Sequence, residues 1–421
     1  MISLDDIQTA ANKLQDRIIR TPLIHSATFT QMVGAQVFLK LENLQKTGSF
    51  KLRGATFKLL RYAAAVGARG VVAASAGNHA QGVALAARMA GVAAAIVMPL
   101  GSSISKQEAT RGYGGEVILE GKSVEESLQA AQALAREGKV LIHPFDDEDI
   151  IVGQGTIGLE ILEDLPDPDV IFVPIGGGGL VSGVASAVKA VHPQTRIIGV
   201  QAAACPSAYE SFRAGRVVRV EARKSIADGL AVKQVGELTF DIIRKNVDDI
   251  VIAEEEQIAA AILMLLERKK LLAEGAGAIA LAALLQGAVR VPPDGKVVLL
   301  ISGGNVDSSL LGRVLRQGLF RTGRVMRVSV CLDDVPGALA GLLTHVAKHQ
   351  ANVLQIDHDR SLLELPIYVS RVELELETRG PDHMREILAG LKAAGYSAET
   401  SNYLAEPPVC RNSRYHLDRS G

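Results

Sequence analysis

The feature that most constrains the fold is an alternation of short apolar runs with longer alanine-rich stretches, between about residues 70 and 302. The short runs are rich in β-branched residues and predict strands at Gly70–Ala74, Ala94–Met98, Glu116–Leu119, Val170–Pro174, Arg196–Gln201 and Lys296–Ile301. The stretches between them predict helices at His79–Met89, Ser123–Arg136, Leu180–Val191 and Glu256–Arg268. Strands that alternate with helices form βαβ units, so the sequence predicts an α/β fold with largely parallel strands. In such folds, ligands bind at the carboxyl ends of the strands.

A second, smaller unit follows the polar segment Arg321–Arg324. The apolar pattern there predicts the order strand, helix, strand, strand, helix, strand over Val325–Leu332, Pro336–His349, Asn352–Asp359, Leu365–Glu377, Pro381–Ala394 and Tyr396–Tyr403. This βαββαβ order is the ferredoxin-like arrangement. We therefore expect a large domain over residues 1–320, a small domain over residues 325–404 and a polar tail over residues 405–421.

Composition excludes several classes of partner. The 421 residues include 45 basic and 46 acidic side chains, with 4% aromatic residues and no tryptophan, which predicts no nucleic-acid partner. Three scattered cysteines, Cys205, Cys331 and Cys410, have no metal-ligand spacing and indicate free thiols in a reducing compartment. The N-terminus carries a predicted helix cap at Ser3 and Asp6 instead of a signal peptide, and no apolar run is long enough to span a bilayer. We therefore expect a cytoplasmic protein with no metal site and no membrane contact.

Four consecutive glycines, Gly176 to Gly179, lie between a predicted strand and a predicted helix. The backbone N–H groups of such a loop can surround an anion, and the dipole of the following helix favours negative charge. The loop does not fit a dinucleotide fingerprint, because Val181 and Ser182 occupy the positions that its third glycine would need. A tight turn would explain one glycine but rarely four, so the loop predicts a phosphate site.

Three further strand-end or helix-start segments carry candidate side chains. Lys51 follows Phe50 and lies among small or apolar residues, so it is predicted to be buried, although a lysine in this position is often solvated. Burial would lower its pKa and supply the neutral amine that imine formation and proton abstraction need. The segments Ser75–Gly82 and Ile301–Asn305 could cap helices or bind a ligand. His79 is interpreted as a hydrogen-bonded turn residue and not as a general base.

The segments SFKLRGA, SAGNHAQG, GGGGL and SGGN, in this order, resemble the threonine dehydratase family of fold-type II pyridoxal-phosphate enzymes, which has serine racemase as a close relative. The resemblance covers roughly residues 1–320 and implies a tryptophan-synthase-β-like catalytic domain of parallel sheets and helices. It implies that Lys51 forms an imine with pyridoxal 5′-phosphate and that Phe50 packs on the face of the cofactor ring. It implies that Asn78 contacts the ring hydroxyl and that Ser302 contacts the pyridine nitrogen. The residues implied in phosphate binding are Gly176, Gly177, Gly178, Gly179 and Leu180. It places Ser75, Ala76, Gly77 and His79 around the substrate carboxylate.

The activity that the resemblance implies is conversion of L-threonine to 2-oxobutanoate and ammonia, with L-serine giving pyruvate. Ala76 replaces a second serine that the family's racemases carry, which favours elimination over racemisation. Gln201 replaces the glutamate that begins the relatives' divalent-metal site, so no metal is predicted. The alternatives are a racemase, another type II lyase, or a β-replacement synthase. The synthase alternative is weakened because the sulfhydrylase relatives have a threonine at the position of His79. An alternative from a different class is a non-catalytic amino-acid sensor.

The C-terminal unit resembles an ACT domain, a small amino-acid-sensing module. The βαββαβ order carries this resemblance, together with the segments Asp333–Leu339 and Ala351–Val353. It implies a site for a branched-chain amino acid, isoleucine or valine, between paired units of a homodimer or homotetramer. The residues implied in that effector site are Gly337, Ala338, Leu339 and Asn352. Asn352 begins the next predicted strand, and we expect it to lie near enough to Gly337 to contribute to the site. The alternative is an assembly module without a ligand.

Overall fold

The computed structural model describes residues 2–66, 69–362 and 365–400. The chain forms two compact units, Met1–Leu310 and Leu311–Gly421. The predicted polar tail at residues 405–421 lies outside the described residues. Within the described ranges, no helix is long and apolar enough to cross a membrane.

The larger sheet of the first unit contains β1 (Leu23–His25), β2 (Gln36–Leu41), β7 (Val170–Pro174), β8 (Arg196–Ala202), β9 (Asp249–Ala253) and β10 (Lys296–Ile301). Its strand order is β1-β2-β10-β7-β8-β9. Strands β2 to β9 in this order run parallel, and β1 is an antiparallel edge strand. The predicted parallel arrangement is confirmed, whereas β1, β2 and β9 were not predicted. Strand β1 has only three residues, and charged residues interrupt the apolar run of β2 (Lys40) and begin that of β9 (Asp249).

The smaller sheet of the first unit contains β3 (Val71–Ala74), β4 (Ala94–Met98), β5 (Glu116–Leu119) and β6 (Val140–Leu141). All of its pairs are parallel, in the order β5-β4-β3-β6. Strands β3, β4 and β7 are buried along their whole length, as in sheets covered by helices on both faces. The sequence predicted β3, β4 and β5 but not the two-residue strand β6, nor the division of the strands between two sheets.

The helices of the first unit follow the same alternation. Their bounds are α1 Leu4–Leu14, α2 Ala27–Val33, α3 Lys51–Val66, α4 Asn78–Ala90, α5 Ile104–Gly112, α6 Val124–Arg136, α7 Glu148–Asp164, α8 Gly179–Val191, α9 Ser207–Ala214, α10 Glu237–Asn246, α11 Glu255–Met264 and α12 Gly275–Leu285. Helix α13 (Ser308–Arg321) begins in the first unit and continues into the second. The predicted capping box at Ser3 and Asp6 is present at the start of α1. The helix predicted at Glu256–Arg268 is α-helical only to Met264, and Leu265–Lys269 is π-helical.

A buried network of charged side chains fixes α3 against the larger sheet. Arg53 is fully buried and makes a two-point ion pair with Glu42, at 2.7 and 2.9 Å. Arg53 also binds Glu160 of α7 at 2.6 Å, and Glu160 binds the buried Lys40 of β2 at 2.6 Å. Two positive and two negative charges are therefore paired away from water, and removal of one partner would leave a buried charge uncompensated. Because Arg53 lies two residues after Lys51, this network also sets the position of the first turn of α3.

The second unit has the predicted βαββαβ order. Its elements are β11 (Val325–Asp333), α14 (Ala338–Lys348), β12 (Asn352–Asp359), β13 (Val369–Glu377), α15 (Pro381–Ala393) and β14 (Ala398–Thr400). The four strands form an antiparallel sheet in the order β12-β13-β11-β14. One face carries a core of buried aliphatic side chains from β11, β13, α14 and α15. Strand β13 begins four residues later than predicted, and the last three residues of the predicted strand Tyr396–Tyr403 lie outside the described residues.

Candidate active site

The carboxyl ends of β3, β6, β7 and β10 open onto one cleft of the first unit, with a volume of about 1150 Å³. Loops from both sheets line it. The cleft brings together every cofactor and substrate residue that the sequence predicts: Phe50, Lys51, Ser75, Ala76, Gly77, Asn78, His79, Gly176, Gly177, Gly178, Gly179, Leu180 and Ser302. Side chains from segments more than 250 residues apart in the chain therefore meet in a single concave site.

Lys51 is the first residue of α3, and its ammonium group lies within the cleft wall. Its Nζ donates a hydrogen bond to the carbonyl oxygen of Pro144 at 2.7 Å and lies 5.2 Å from the centre of the Phe50 ring. Burial lowers the pKa of Lys51 from 10.5 to about 8, although the negative charge of Glu274 acts in the opposite direction. A neutral amine is therefore accessible near physiological pH, which a nucleophile or base requires.

The turn before Lys51 is held by the loop that follows β10. Phe50 N–H donates to the carbonyl of Ser302 at 3.1 Å, and Gly304 N–H donates to the carbonyl of Gly48 at 2.9 Å. Gly48 has a φ of +72°, and a Cβ there would lie 2.5 Å from Oδ1 of Asn305. The turn therefore needs glycine both for its left-handed backbone and for the close approach of Asn305.

The glycine loop lies directly before α8, with Gly178 in the left-handed region (φ 101°) as the residue that precedes the helix. A Cβ on Gly177 would lie 2.3 Å from the Phe145 ring, and one on Gly178 would lie 2.7 Å from Thr239. These neighbours pack against the loop so closely that side chains are excluded. Such a side-chain-free loop at a helix N-terminus fits a phosphate group, since backbone N–H groups and the helix dipole both favour an anion.

The segment after β3 supplies the opposite wall of the cleft. Ser75, Ala76 and Gly77 are partly exposed to it, and Gly77 N–H donates to Oγ of Ser75 at 3.1 Å. The imidazole of His79 is buried, with Nε2 2.9 Å from the carbonyl oxygen of Ile142. Burial and the nearby Lys51 charge lower the pKa of His79 to about 3, so its ring is neutral at physiological pH. His79 is therefore placed as a packed turn residue that donates to a carbonyl.

Ser302 and Asn78 face the middle of the cleft. Ser302 is buried, and its Oγ donates to the carbonyl of Ala276 at 3.2 Å. The Asn78 amide lies between two side chains that sequence reasoning missed: its Nδ2 is 2.6 Å from Glu274 Oε1, and its Oδ1 is 2.7 Å from Asn305 Nδ2.

Glu274 is the only acidic side chain in the apolar stretch Leu271–Leu285, and this contrast is the sequence signal that could have identified it. It is 7% exposed, and burial together with the negative charge of Asp228 raises its pKa to about 8. A carboxyl group with such a perturbed pKa in a cleft marks a functional position.

The predicted effector residues lie in the second unit but not at one place within it. Gly337, Ala338 and Leu339 are at the N-terminal end of α14, after β11. Asn352 pairs with Glu377 of β13, and Glu377 pairs with Val325 at the beginning of β11. Asn352 is therefore at the level of the beginning of β11, whereas Gly337 follows the end of that strand. The expectation that Asn352 lies near Gly337 is therefore wrong within one chain, because the 11-residue helix α14 separates them by about 16 Å.

A lysine of lowered pKa that lines the same cleft as a glycine loop at a helix N-terminus, in a parallel α/β fold, is typical of an enzyme that anchors a phosphorylated carbonyl cofactor on lysine. The family described as pyridoxal-phosphate dependent enzyme matches residues 14–303. An L-threonine ammonia-lyase of Thermotoga maritima is 49% identical over 398 residues, which is 94% of this chain and 98% of that protein. The chain therefore belongs to the pyridoxal-phosphate dependent enzyme family.

Solved structures match the first unit. A threonine deaminase of Solanum lycopersicum is 36% identical, with a TM-score of 0.71 over 74% of this chain and 92% of that one. A serine racemase from maize is 37% identical, with a TM-score of 0.71 over 76% of this chain and 98% of that one. The fold is thus shared by lyases and racemases, and the activity has to be argued from the site and from the relatives that match over most of the chain.

Proposed function

We propose that this protein is a threonine ammonia-lyase that converts L-threonine to 2-oxobutanoate and ammonia, with a side activity that converts L-serine to pyruvate. The observation that carries the proposal is Lys51, whose lowered pKa and position in the same cleft as the glycine loop fit a lysine that alternates between anchoring the cofactor and moving a proton. The L-threonine ammonia-lyases of Thermotoga maritima and Geobacter sulfurreducens, each 49% identical over more than nine-tenths of this chain, support the same substrate.

Each part of pyridoxal phosphate would contact a different group of residues in the cleft. Gly176 to Gly179 and the N–H of Leu180 would hold the phosphate, since this loop carries no side chains and lies at the N-terminus of α8, where backbone N–H groups and the helix dipole favour an anion. Phe50 would pack on the ring, Asn78 would bond the ring hydroxyl, and Ser302 would face the pyridine nitrogen. When bound, the cofactor withdraws electrons from the bond to hydrogen that breaks at the substrate Cα.

The remaining chemistry belongs to the protein. Backbone N–H groups at the start of α4, between Ser75 and His79, would bind the substrate carboxylate, because the helix dipole there favours an anion. Lys51 Nζ would then take the Cα proton, and the C–O bond at Cβ would break. The β-hydroxyl would gain one proton as it leaves as water, so that the proton removed from Cα is balanced. Hydrolysis of the released enamine consumes one water, so the net products are the 2-oxo acid and ammonia.

Two side chains favour elimination over its alternatives. Ala76 has no proton to deliver to the opposite face of the substrate, which racemisation requires. The neutral hydroxyl of Ser302 would not hold a proton on the pyridine nitrogen as a carboxylate would, so the negative charge generated at Cα is expelled promptly with the leaving group.

Product analysis tests the proposal. With L-threonine, the purified enzyme should release 2-oxobutanoate and ammonia in equal amounts, and Lys51→Ala should release neither. A matched control is Lys58→Ala, in the same helix but paired with Asp147 outside the catalytic cleft, which should keep most of the turnover. Accumulation of D-amino acid would instead favour a racemase. Incorporation of an added thiol would favour a β-replacement synthase, and amino-acid binding without turnover would favour a sensor.

We further infer that the second unit is an ACT-type regulatory domain that binds isoleucine or valine between two copies of the chain. Its antiparallel βαββαβ arrangement supports this assignment. The separation of Gly337 from Asn352 within one chain is the reason that two copies are needed, since a second copy could bring its Asn352 to the helix start of the first. We therefore propose that the chain forms a homodimer or a homotetramer, in which pairs of second units complete the effector sites.

Gly337→Asp tests the regulatory assignment, because it places a charge where the effector carboxylate would bind. Gly380→Asp is the matched control, since Gly380 also precedes a helix with positive φ and has open space around it. Isoleucine or valine should shift the threonine saturation curve of the unaltered enzyme and of Gly380→Asp, by roughly 5- to 150-fold in threonine affinity. Gly337→Asp should respond weakly. An unaltered enzyme that ignores both amino acids would make the second unit an assembly module.

A further inference from the structure

The Asn78 amide is fixed from both ends by hydrogen bonds inside the cleft. Its Oδ1 accepts from Asn305 Nδ2 at 2.7 Å, and its Nδ2 donates to Glu274 Oε1 at 2.6 Å. The orientation of Asn305 is itself determined, because the same Nδ2 also donates to the backbone carbonyl of Thr47 at 2.7 Å. A carbonyl oxygen can only accept, so Asn305 must present its amino group to Asn78.

This chain of bonds decides what Asn78 can offer to a ligand. An amide carries two N–H donors on Nδ2 and one acceptor oxygen. The oxygen faces Asn305 and one N–H faces Glu274, so the group left to point into the cleft is the second N–H. Rotation of the amide by 180° would bring its amino group against the amino group of Asn305, where neither group can accept a hydrogen bond. Asn78 is therefore prepared to donate, before any ligand arrives.

Glu274 is held as firmly as the amide that it contacts. Its backbone N–H donates to the carbonyl of Gly303 at 3.1 Å, and it precedes the buried helix α12. A Cβ on Gly303 would lie 2.3 Å from Glu274 Oε1, so the loop after β10 leaves room for this carboxyl group. The loop that carries Ser302 and Asn305 thus also positions Glu274.

We propose that Glu274 and Asn305 are positioning residues that lock the Asn78 amide as a hydrogen-bond donor toward the ring hydroxyl oxygen of the cofactor. This rests on the cofactor placement under the proposed function. The arrangement favours the cofactor with a negatively charged oxygen at that position, because a preoriented donor stabilises an anion at no further ordering cost. Their effect on the ring hydroxyl passes through Asn78, whereas the charge of Glu274 acts separately on Lys51 by raising its pKa.

A cofactor analogue without the ring hydroxyl tests this inference. The affinities of the cofactor-free enzyme for pyridoxal 5′-phosphate and for 3-deoxypyridoxal 5′-phosphate would be measured by equilibrium dialysis. The unaltered enzyme should prefer pyridoxal phosphate by roughly tenfold or more, the usual effect of a hydrogen bond to a charged group. Glu274→Ala should lose most of this preference, and Glu274→Gln should keep it, because the glutamine carbonyl still accepts from Asn78.

Two further variants separate the inference from a general loss of folding. Asn305 is exposed at the cleft edge, so Asn305→Ala should fold, and it should weaken the preference by freeing the amide to rotate. Glu237→Ala removes another carboxylate from the cleft lining and should leave the preference unchanged. Retention of the full preference in Glu274→Ala and Asn305→Ala would overturn the positioning role. An unaltered enzyme without any preference would overturn the assigned cofactor placement itself, and the inference with it.

Discussion

The lowered pKa of Lys51 has a consequence that pH alone can reveal. Attachment of pyridoxal phosphate requires the neutral amine, and the pKa of Lys51 is lowered from 10.5 to about 8 by burial. Each pKa unit changes the neutral fraction about tenfold, so Lys51 should contain roughly 300-fold more neutral amine at pH 7 than an ordinary lysine. The folded protein therefore binds this proton more weakly, and the amine becomes available as the pH rises through about 8.

The assay is the rate at which cofactor-free enzyme takes up pyridoxal phosphate, followed by absorbance in a stopped-flow instrument. Between pH 8 and 9.5 the rate should rise only about twofold and then stay constant, whereas an ordinary lysine would give a rise of roughly 30-fold. Lys51→Ala gives the background from other lysines, and circular dichroism shows whether the protein stays folded over this range. A rate that keeps rising steeply to pH 10 would refute the assigned environment of Lys51.

Two substitutions test the packing of the glycine loop and the buried network of charged side chains. Gly177→Ala should weaken cofactor binding and lower the free energy of unfolding by about 1–3 kcal/mol, because the new Cβ would overlap the Phe145 ring. Gly101→Ala is the control and should change both quantities little, because Gly101 has open space around it. Equilibrium dialysis and urea unfolding measure these effects, and an unchanged cofactor affinity would contradict the packed loop. Arg53→Ala should cost about 3–5 kcal/mol in urea unfolding, since it leaves the buried Glu42 without its ion-pair partner and Glu160 paired with Lys40 alone. Arg20→Ala removes partly exposed ion pairs with Glu163 and Asp164, each worth about 1 kcal/mol or less. Equal costs for the two arginines would show that the buried network contributes little.

The parallel strands were predictable because burial on both faces leaves continuous apolar runs. Three such runs have the predicted bounds: Ala94–Met98, Val170–Pro174 and Lys296–Ile301. The edge strand Glu116–Leu119 also has the predicted bounds, although it is less buried. What periodicity could not decide is which runs pair with one another, since β2 joins β10 across more than 250 residues of sequence. The division into two sheets, and hence a cleft between loops of both, comes from tertiary packing.

The site residues differ in the same way: some are recognisable from their neighbours in sequence, and others only from contacts made in the folded chain. The glycine loop and Lys51 were recognisable because each has an unusual local composition beside a strand end or helix start. Glu274 and Asn305 were missed, since their importance arises only when α12 and the loop after β10 reach Asn78. The expectation that Asn352 lies near Gly337 failed for a related reason. The order of the elements was predictable, but Gly337 and Asn352 lie at opposite ends of α14.

The most direct test of the account is to locate the cofactor on the chain. Reduction of the enzyme with sodium borohydride after addition of pyridoxal phosphate, followed by proteolysis and mass spectrometry, should place the phosphopyridoxyl group on Lys51 alone, with one group per chain. Threonine added before the reduction should protect Lys51, because the substrate amine displaces it. Labelling of another lysine, or labelling spread over surface lysines with Lys51 unmodified, would contradict the central claim that Lys51 anchors the cofactor in this cleft.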